Sequence, residues 1–224
     1  MQLKGKGIIS HLQREALLSF SKLTDASQFY LTGGTALAEF YLGHRKSFDL
    51  DLFTAQKELI LPVSRLYEEE LKKISTVQIV RRFESIVELE FQSPSEATRV
   101  QMALDSPFRF EPLVDSDIGV KINNFHDLAV DKILAFFGRA EPRDAVDVFF
   151  ILKKMDFKNL VQGAAQKDPG FDLYWLAIAF EKVKDFPDEI NRWPVEMLKD
   201  INVKEIKSLF ANLSNEVMRK ITRK

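Results

Sequence analysis

Two kinds of hydrophobic pattern divide the sequence, and the change between them near residue 120 constrains the fold more than any other feature. Before it, helical patterns over 10–23, 35–42 and 62–74 alternate with strand-like runs at 29–32, 48–53, 77–83, 86–91, 99–105 and 119–122. After it only helical patterns occur, over 125–138, 142–154, 157–166, 172–184 and 203–221. We therefore predict an α+β fold, with a mixed-sheet core over residues 1–120 and a helical bundle over residues 121–224.

The charge balance and the absence of cysteine exclude several classes of protein. The 32 Lys and Arg residues and 33 Asp and Glu residues give a net charge of −1, so the chain does not bind nucleic acid by bulk charge, and such a partner would need a local patch. A chain with no cysteine has no disulfide framework, no thiolate zinc site and no cysteine nucleophile, which suits a reducing compartment. No apolar run reaches the ~20 residues of a membrane span. We expect a cytoplasmic protein without a membrane partner.

A strand that runs into Gly33-Gly34-Thr35 and then into a helix is the first candidate binding element. Glycines let the backbone approach a ligand closely, and the N–H groups at a helix start favour an anion such as phosphate. Thr35 adds a hydroxyl donor. The alternative is a purely structural turn.

Three aspartates on predicted strands form the second candidate element. Residues i and i+2 of a strand face one side, so Asp49 and Asp51 project together while Leu50 points into the core, and we place Phe48 and Leu52 on the same apolar face as Leu50. Carboxylates ~6 Å apart repel by roughly 3 kcal/mol at an effective dielectric of 20, which favours a bound cation, and all-oxygen ligands favour Mg²⁺ or Mn²⁺. If the strand that ends at Asp105 lies beside this one, Asp105 is a third metal ligand. A solvated strand face and, for Asp105, a simple turn are the alternatives.

Two further elements lie on predicted helices of the second domain. Lys132 falls on the apolar stripe of its helix, so its ammonium either reaches past the core or points at a ligand phosphate. Asp144 lies in a first helical turn behind Pro142, whereas Asp147 lies among apolar residues where an unpaired carboxylate is costly. Asp147 therefore needs a partner, for which Lys132 and Arg143 are the candidates.

The order of these elements resembles a known family. The stretch FYLTGGTALAEFYLGHRKSFDLDLF, followed by Lys132 and by Arg143-Asp144-Ala145-Val146-Asp147, is similar to the AbiEii/AbiGii-type nucleotidyltransferase toxins, a branch of the DNA polymerase beta nucleotidyltransferase superfamily. The resemblance covers roughly residues 28–150 and is most specific over 30–54.

The resemblance implies a nucleotidyltransferase core, a helical domain that closes the nucleotide cleft, and transfer of an NMP from an NTP with two Mg²⁺ or Mn²⁺ ions. Asp49 and Asp51 would hold the ions, and Lys132 and either Asp144 or Asp147 would complete the catalytic and nucleotide-binding set. We also assign nucleotide contacts to Gly33, Gly34, Thr35, Arg45 and Ser47.

The family further implies the toxin of a toxin–antitoxin or abortive-infection system, with a protein antitoxin as partner and RNA such as tRNA as acceptor. Two alternatives stay open on the sequence. One is a non-catalytic nucleotide-binding module that acts through a protein partner, against which the retained Asp49 and Asp51 argue. The other is nucleotidyl transfer to a small molecule such as an aminoglycoside, which the nearly neutral charge allows.

Overall fold

The computed structural model of the chain describes residues 2–222. The chain divides into two units, Met1–Asp127 and Leu128–Lys224, and each is described by itself below. The first carries the sheet and the second is helical. Within residues 2–222, no helix is both long enough and apolar enough to cross a membrane.

The first unit is built on a mixed sheet of six strands in the order β3-β4-β5-β2-β1-β6. β2 lies between β1, to which it is antiparallel, and β5, to which it is parallel. β3, β4 and β5 form an antiparallel meander, and β6 pairs with β1 in parallel. The strands are β1 (Tyr30–Thr32), β2 (Asp49–Thr54), β3 (Thr76–Phe83), β4 (Ile86–Gln92), β5 (Ala97–Leu104) and β6 (Lys121–Ile122).

Two helices cover one face of this sheet because both present an apolar stripe to it. They are α1 (His11–Phe20) and α3 (Lys57–Lys72), joined by the edge-to-face rings of Phe20 and Tyr67. α1 begins at Ser10 with a capping box in which Ser10 and Gln13 exchange hydrogen bonds. The prediction that a helix begins at Pro62 is wrong: α3 begins at Lys57, and Pro62 lies inside it.

An ion-paired carboxylate joins α3 to the sheet. Glu68 lies 2.7 Å from Lys72 Nζ and 2.6 Å from Arg82 Nη2, which belongs to β3. Hydrogen bonds from Lys72 and then Arg82 hold the pKa of Glu68 below its ordinary value.

The glycines after β1 open a short helix, as the sequence predicts. α2 (Gly33–Ala36) continues as a π-helix over Leu37–Leu42, and Gly43, with φ of +63°, ends it. Glu39 on this segment is buried and accepts hydrogen bonds from the backbone N–H groups of Gly7, Ile8 and Ile9. The N-terminal segment is thereby tied to the helix that follows the glycines.

The second unit is a helical bundle around a cluster of aromatic rings. Phe136, Phe180 and Phe210 pack at centroid distances of 5.1–5.5 Å and join α4, α7 and α8. The helices are α4 (Phe125–Arg139), which begins in the first unit, α5 (Pro142–Ile151), α6 (Phe157–Lys167), α7 (Leu173–Glu181) and α8 (Val203–Thr222). The prediction of an α+β fold, with a mixed sheet followed by a helical bundle, is therefore confirmed, whereas closure of a cleft by the bundle stays a prediction.

Candidate active site

The two glycines after β1 leave space that the side chains of the neighbouring strand region occupy. A Cβ atom at Gly33, whose φ is +70°, would lie 1.9 Å from Asp51 Oδ2. A Cβ atom at Gly34 would lie 2.8 Å from Arg45 Nη2 and 2.8 Å from Ser47 Oγ. Gly33 favours glycine because its backbone is left-handed and the Asp51 carboxylate packs on it, whereas a side chain at Gly34 would displace the ends of Arg45 and Ser47. The structure thus brings Gly33, Gly34, Arg45, Ser47 and Asp51 together.

The register of β1 and β2 explains this contact. Thr32 lies opposite Asp51 in the antiparallel pair, so the residue after Thr32 meets the Asp51 side chain. Leu50 and Leu52 are fully buried while Asp49 and Asp51 are half-buried, as the predicted alternation requires. Phe48 departs from the prediction, because β2 begins only at Asp49 and the Phe48 ring is exposed rather than buried.

Asp49 has a cationic partner that the sequence did not indicate. Arg99 is its register neighbour on β5, and Arg99 Nη2 lies 3.2 Å from Asp49 Oδ2. The nearby Asp49 charge, more than its hydrogen bond, raises the pKa of Arg99. Arg99 could have been found only from the pairing of β2 with β5, since fifty residues separate the two side chains.

Asp49 and Asp51 fit a magnesium ion by their chemistry. They supply hard oxygen ligands from one strand, and Mg²⁺ in proteins commonly takes one or two carboxylates and completes its shell with substrate phosphates and water. Across residues 2–222, no group of three or more His, Asp or Glu side chains is placed to hold a metal ion. A metal ion held by this pair would complete its coordination shell with water or with groups of a bound ligand.

Asp105 does not join the aspartate pair, which corrects its predicted role as a third metal ligand. Gln101 is the register partner of Asp51, and Asp105 follows four residues later, about 13 Å further along the strand direction. Its carboxylate instead accepts a hydrogen bond from the Tyr30 hydroxyl and lies 4.0 Å from Arg109 Nη2. Burial, and then this carboxylate, raises the pKa of Tyr30.

The side chains of Thr35 and Arg45 are buried and do not lie at an open surface. The Thr35 hydroxyl donates to the backbone carbonyl of Asp49, so it fastens α2 to β2 and is not the free phosphate donor that the sequence suggested. Arg45 is buried and its Nη1 donates to the carbonyl of Lys46 at 2.8 Å. The backbone around Gly33 and Gly34, rather than the Thr35 side chain, is what this element presents.

The two predicted site aspartates of the second unit are fully buried, and each is ion-paired. Lys132 Nζ lies 2.8 Å from Asp147 Oδ2, which confirms Lys132 as the partner that Asp147 needs. Asp144 accepts two hydrogen bonds from Arg139, from Nε at 2.6 Å and Nη2 at 2.8 Å. Arg143, the other candidate partner, lies 2.8 Å from Glu141.

Arg139 is the residue of this group that sequence reasoning missed. The hydrogen bond to Asp144 raises the pKa of its guanidinium. Its position five residues before Asp144, across the break between α4 and α5, was the available signal. Asp144 is fully buried with both oxygens bound by Arg139, whereas Lys132 is slightly exposed.

Comparison with known proteins adds a family and a fold. The family model described as the nucleotidyl transferase AbiEii toxin of type IV toxin–antitoxin systems matches residues 15–220. The uncharacterized Aquifex aeolicus protein aq_aa25 is 26% identical over 189 residues, which cover 80% of this chain and 84% of that protein.

Two solved structures, each 16% identical to this chain, share its fold. One is a Helicobacter pylori protein described as a candidate nucleotidyltransferase, with a TM-score of 0.64 and coverage of 95% of this chain and 94% of that one. The other is the nucleotidyltransferase toxin MenT4 of Mycobacterium tuberculosis, with a TM-score of 0.58 and coverage of 92% and 84%.

Proposed function

Because the chain belongs to the AbiEii nucleotidyltransferase toxin family, we propose that it transfers an NMP from an NTP to an RNA acceptor in a reaction that depends on Mg²⁺ or Mn²⁺. The observation that carries this proposal is the packing of the Asp51 carboxylate on Gly33. It joins the backbone of a phosphate-binding turn to the aspartate pair of β2.

The backbone turn would bind the triphosphate. Gly33, half-buried, lies at the start of a helical segment, where main-chain N–H groups favour an anion, and the guanidinium of Arg45 lies against the buried Gly34. Together they place positive charge beside Asp49 and Asp51, where a nucleotide and its metal ion would meet. A bound Mg²⁺ would supply Lewis-acid stabilisation of the charge that develops on the phosphate oxygens.

The transfer is an in-line displacement at the α-phosphorus. The acceptor hydroxyl oxygen forms a bond to the α-phosphorus and releases its proton to water, while the bond from the α-phosphorus to the α–β bridging oxygen breaks. Pyrophosphate leaves with the electron pair of that bond. Asp49 and Asp51 would hold the metal ion, whose positive charge would bind the reacting phosphate, and Gly33 and Gly34 would hold the leaving pyrophosphate.

The family also implies that Lys132 binds the triphosphate, and its ion pair with Asp147 would set the position of its ammonium. We assign Asp147 rather than Asp144 as the functional aspartate, because Arg139 already binds both oxygens of Asp144. Two metal ions, a cytoplasmic site of action and a cognate antitoxin protein are parts of the same proposal that follow from the family.

The direct test is to incubate the protein with each α-³²P-labelled NTP, Mg²⁺ and total cellular RNA or protein. We expect label in RNA, none of it in EDTA, and a loss of about a hundredfold or more in the Asp49→Asn and Asp51→Asn variants. Asp105→Asn is the matched control, because its register position removes Asp105 from the pair, and it should retain transfer.

The outcome identifies the acceptor class. Label in the protein fraction or in a small molecule such as an aminoglycoside would refute RNA as the acceptor, although the protein would still be a nucleotidyltransferase. No label in any fraction from the folded wild type would refute enzymatic transfer and support a nucleotide-binding module. Equal losses in Asp105→Asn and Asp51→Asn would show that the register argument about the metal ligands is wrong.

A further inference from the structure

An exposed aromatic ring stands directly beside the aspartate pair. Phe48 precedes Asp49, and 57% of it is exposed, although the neighbouring Leu50 is fully buried. The backbone under this ring is fixed, since Thr98 Oγ1 donates to the Phe48 carbonyl and Gln13 Nε2 donates to the Ser47 carbonyl at 3.0 Å. Phe48 is thus a firmly held ring that faces solvent.

Two cavities of the first unit share this ring. The first, of about 370 Å³, lies where β2, β3 and β5 begin and β4 ends, and it includes Asp49. The second, of about 480 Å³, lies between the N-terminal segment and the residues before β2, and it includes Lys46 and Ser47. Phe48, Ala97 and Thr98 line both cavities, so a flat group on the Phe48 ring would be within reach of each.

The lining of the first cavity suits a neutral polar group better than an anion. Its cation, Arg99, is already paired with Asp49, and Glu90 adds a second negative charge. A phosphate would meet two carboxylates there, whereas a nucleobase brings no charge. Amide and hydroxyl groups that can bond the edge of a base complete the lining, from Thr76, Gln78, Gln92 and Thr98.

The order of the strands decides which substrate this cavity faces. β1 and the glycine turn lie on one side of β2, and β5 and β4 lie on the other. An in-line displacement brings the attacking oxygen from the side opposite the leaving pyrophosphate. If the glycine turn holds the pyrophosphate, the acceptor approaches over β5, where the first cavity lies.

We propose that Phe48 is the stacking platform for the unpaired terminal base of the acceptor RNA, whose edge is read from the first cavity. This inference rests on the proposed function, because it takes the side of the acceptor from the nucleotidyl-transfer geometry. Aromatic side chains stack on every base, so the ring itself holds the acceptor and the polar lining selects among bases.

The test compares steady-state kinetics of Phe48→Ala with an RNA acceptor whose 3′-terminal nucleotide is either normal or abasic. Loss of the ring should raise KM for the normal acceptor by about 5- to 100-fold, the range expected for one stacked base, and leave KM for the NTP unchanged. The wild type should show the same rise with the abasic acceptor, and Phe48→Ala should show no further rise. Phe48→Trp should retain the wild-type KM.

A control and a second readout separate stacking from folding and turnover. Phe83 is an exposed phenylalanine on β3 that borders neither cavity, so Phe83→Ala should match the wild type. An acceptor with a terminal 4-thiouridine should photo-crosslink to a peptide that contains Phe48, and this measurement needs no turnover.

Four outcomes would overturn the inference. A rise in KM for the NTP alone would place the donor base on Phe48, and unchanged KM values would make the ring an ordinary surface residue. A wild type that does not distinguish the abasic acceptor, while it still labels RNA, refutes the stacking platform and keeps the proposed function. A wild type that labels no RNA refutes the proposed acceptor itself, and the platform for its base with it.

Discussion

Substitution of Gly33 by alanine tests the contact on which the candidate site depends. The new Cβ would lie 1.9 Å from Asp51 Oδ2 and 2.8 Å from Asp51 Cγ, so the carboxylate must move. A left-handed backbone costs an alanine about 1–2 kcal/mol, and forced displacement of a packed group adds about 1–3 kcal/mol. We expect the free energy of unfolding to fall by about 2–5 kcal/mol in urea titrations, with loss of nucleotidyl transfer.

Gly7 offers a matched control for the backbone contribution. Its φ of +72° nearly equals that of Gly33, but among the described residues no atom lies within 4 Å of a Cβ built there. Gly7→Ala should therefore cost only the about 1–2 kcal/mol of the left-handed backbone and leave transfer unchanged. The difference between the two variants isolates the collision with Asp51.

A double-mutant cycle gives the sharper measurement. In an Asp51→Ala background the two colliding carboxyl atoms are absent, so Gly33→Ala should cost about as much as Gly7→Ala. The coupling free energy between positions 33 and 51 should then be about 1–3 kcal/mol. A coupling near zero, or equal costs of Gly33→Ala and Gly7→Ala, would show that Asp51 does not pack on this glycine and would remove the main support for the site.

Three other substitutions test single features of the structure. Lys132→Met should lower the free energy of unfolding by about 3–5 kcal/mol in urea titrations, because it removes the Lys132 ion partner of the buried Asp147 carboxylate. The double variant Lys132→Met/Asp147→Leu should recover most of this loss, and an unchanged free energy of unfolding in Lys132→Met would refute the ion pair. Asp51→Asn should leave unchanged or raise the melting temperature of the metal-free protein by relieving carboxylate repulsion, whereas Leu50→Asn should lower it sharply; a loss as large as that control would assign Asp51 a structural role. Because the pKa of Glu68 is lowered in the folded state, its contribution is complete above its ordinary pKa of 4.5 and is lost as pH falls through the lowered value, so Glu68→Gln should flatten the acid side of the stability–pH curve, and an unaltered curve would contradict this.

Local patterns were sufficient for much of this fold. The alternation of Asp49, Leu50, Asp51 and Leu52 predicts which side chains are buried, because a strand with one covered face imposes period two on its residues. The helices of the second unit follow from period 3.6, with ends within a few residues of those predicted. The prediction that Phe48 is buried is wrong because the alternation applies only within a strand, and β2 begins one residue later.

Pairing between distant segments was beyond the sequence. Whether Gln101 or Asp105 lies beside Asp51 depends on the register of β2 and β5, and a shift of four residues keeps every side chain on the same face. The face of the sheet on which a side chain lies therefore could not exclude Asp105 as a metal ligand. Arg99 escaped notice for the same reason, since only the folded chain brings it near Asp49.

The number of residues between the glycine turn and the aspartate pair is set by the geometry of the fold. Thirteen residues separate Thr35 from Asp49, and they must complete the helical segment that ends at Leu42 and return the chain to the start of β2. The ten residues from Gly33 to Leu42 rise by about 15 Å, and the six residues from 43 to 48 reach at most about 20 Å. Deleting two of those six would leave five Cα–Cα steps from Leu42 to Asp49, about 17–18 Å when fully extended, which is only slightly more than the helix rise that the chain must recross. The turn, the helix, the return and the aspartate strand therefore act as one unit, and the spacing carries structural information that neither motif has alone.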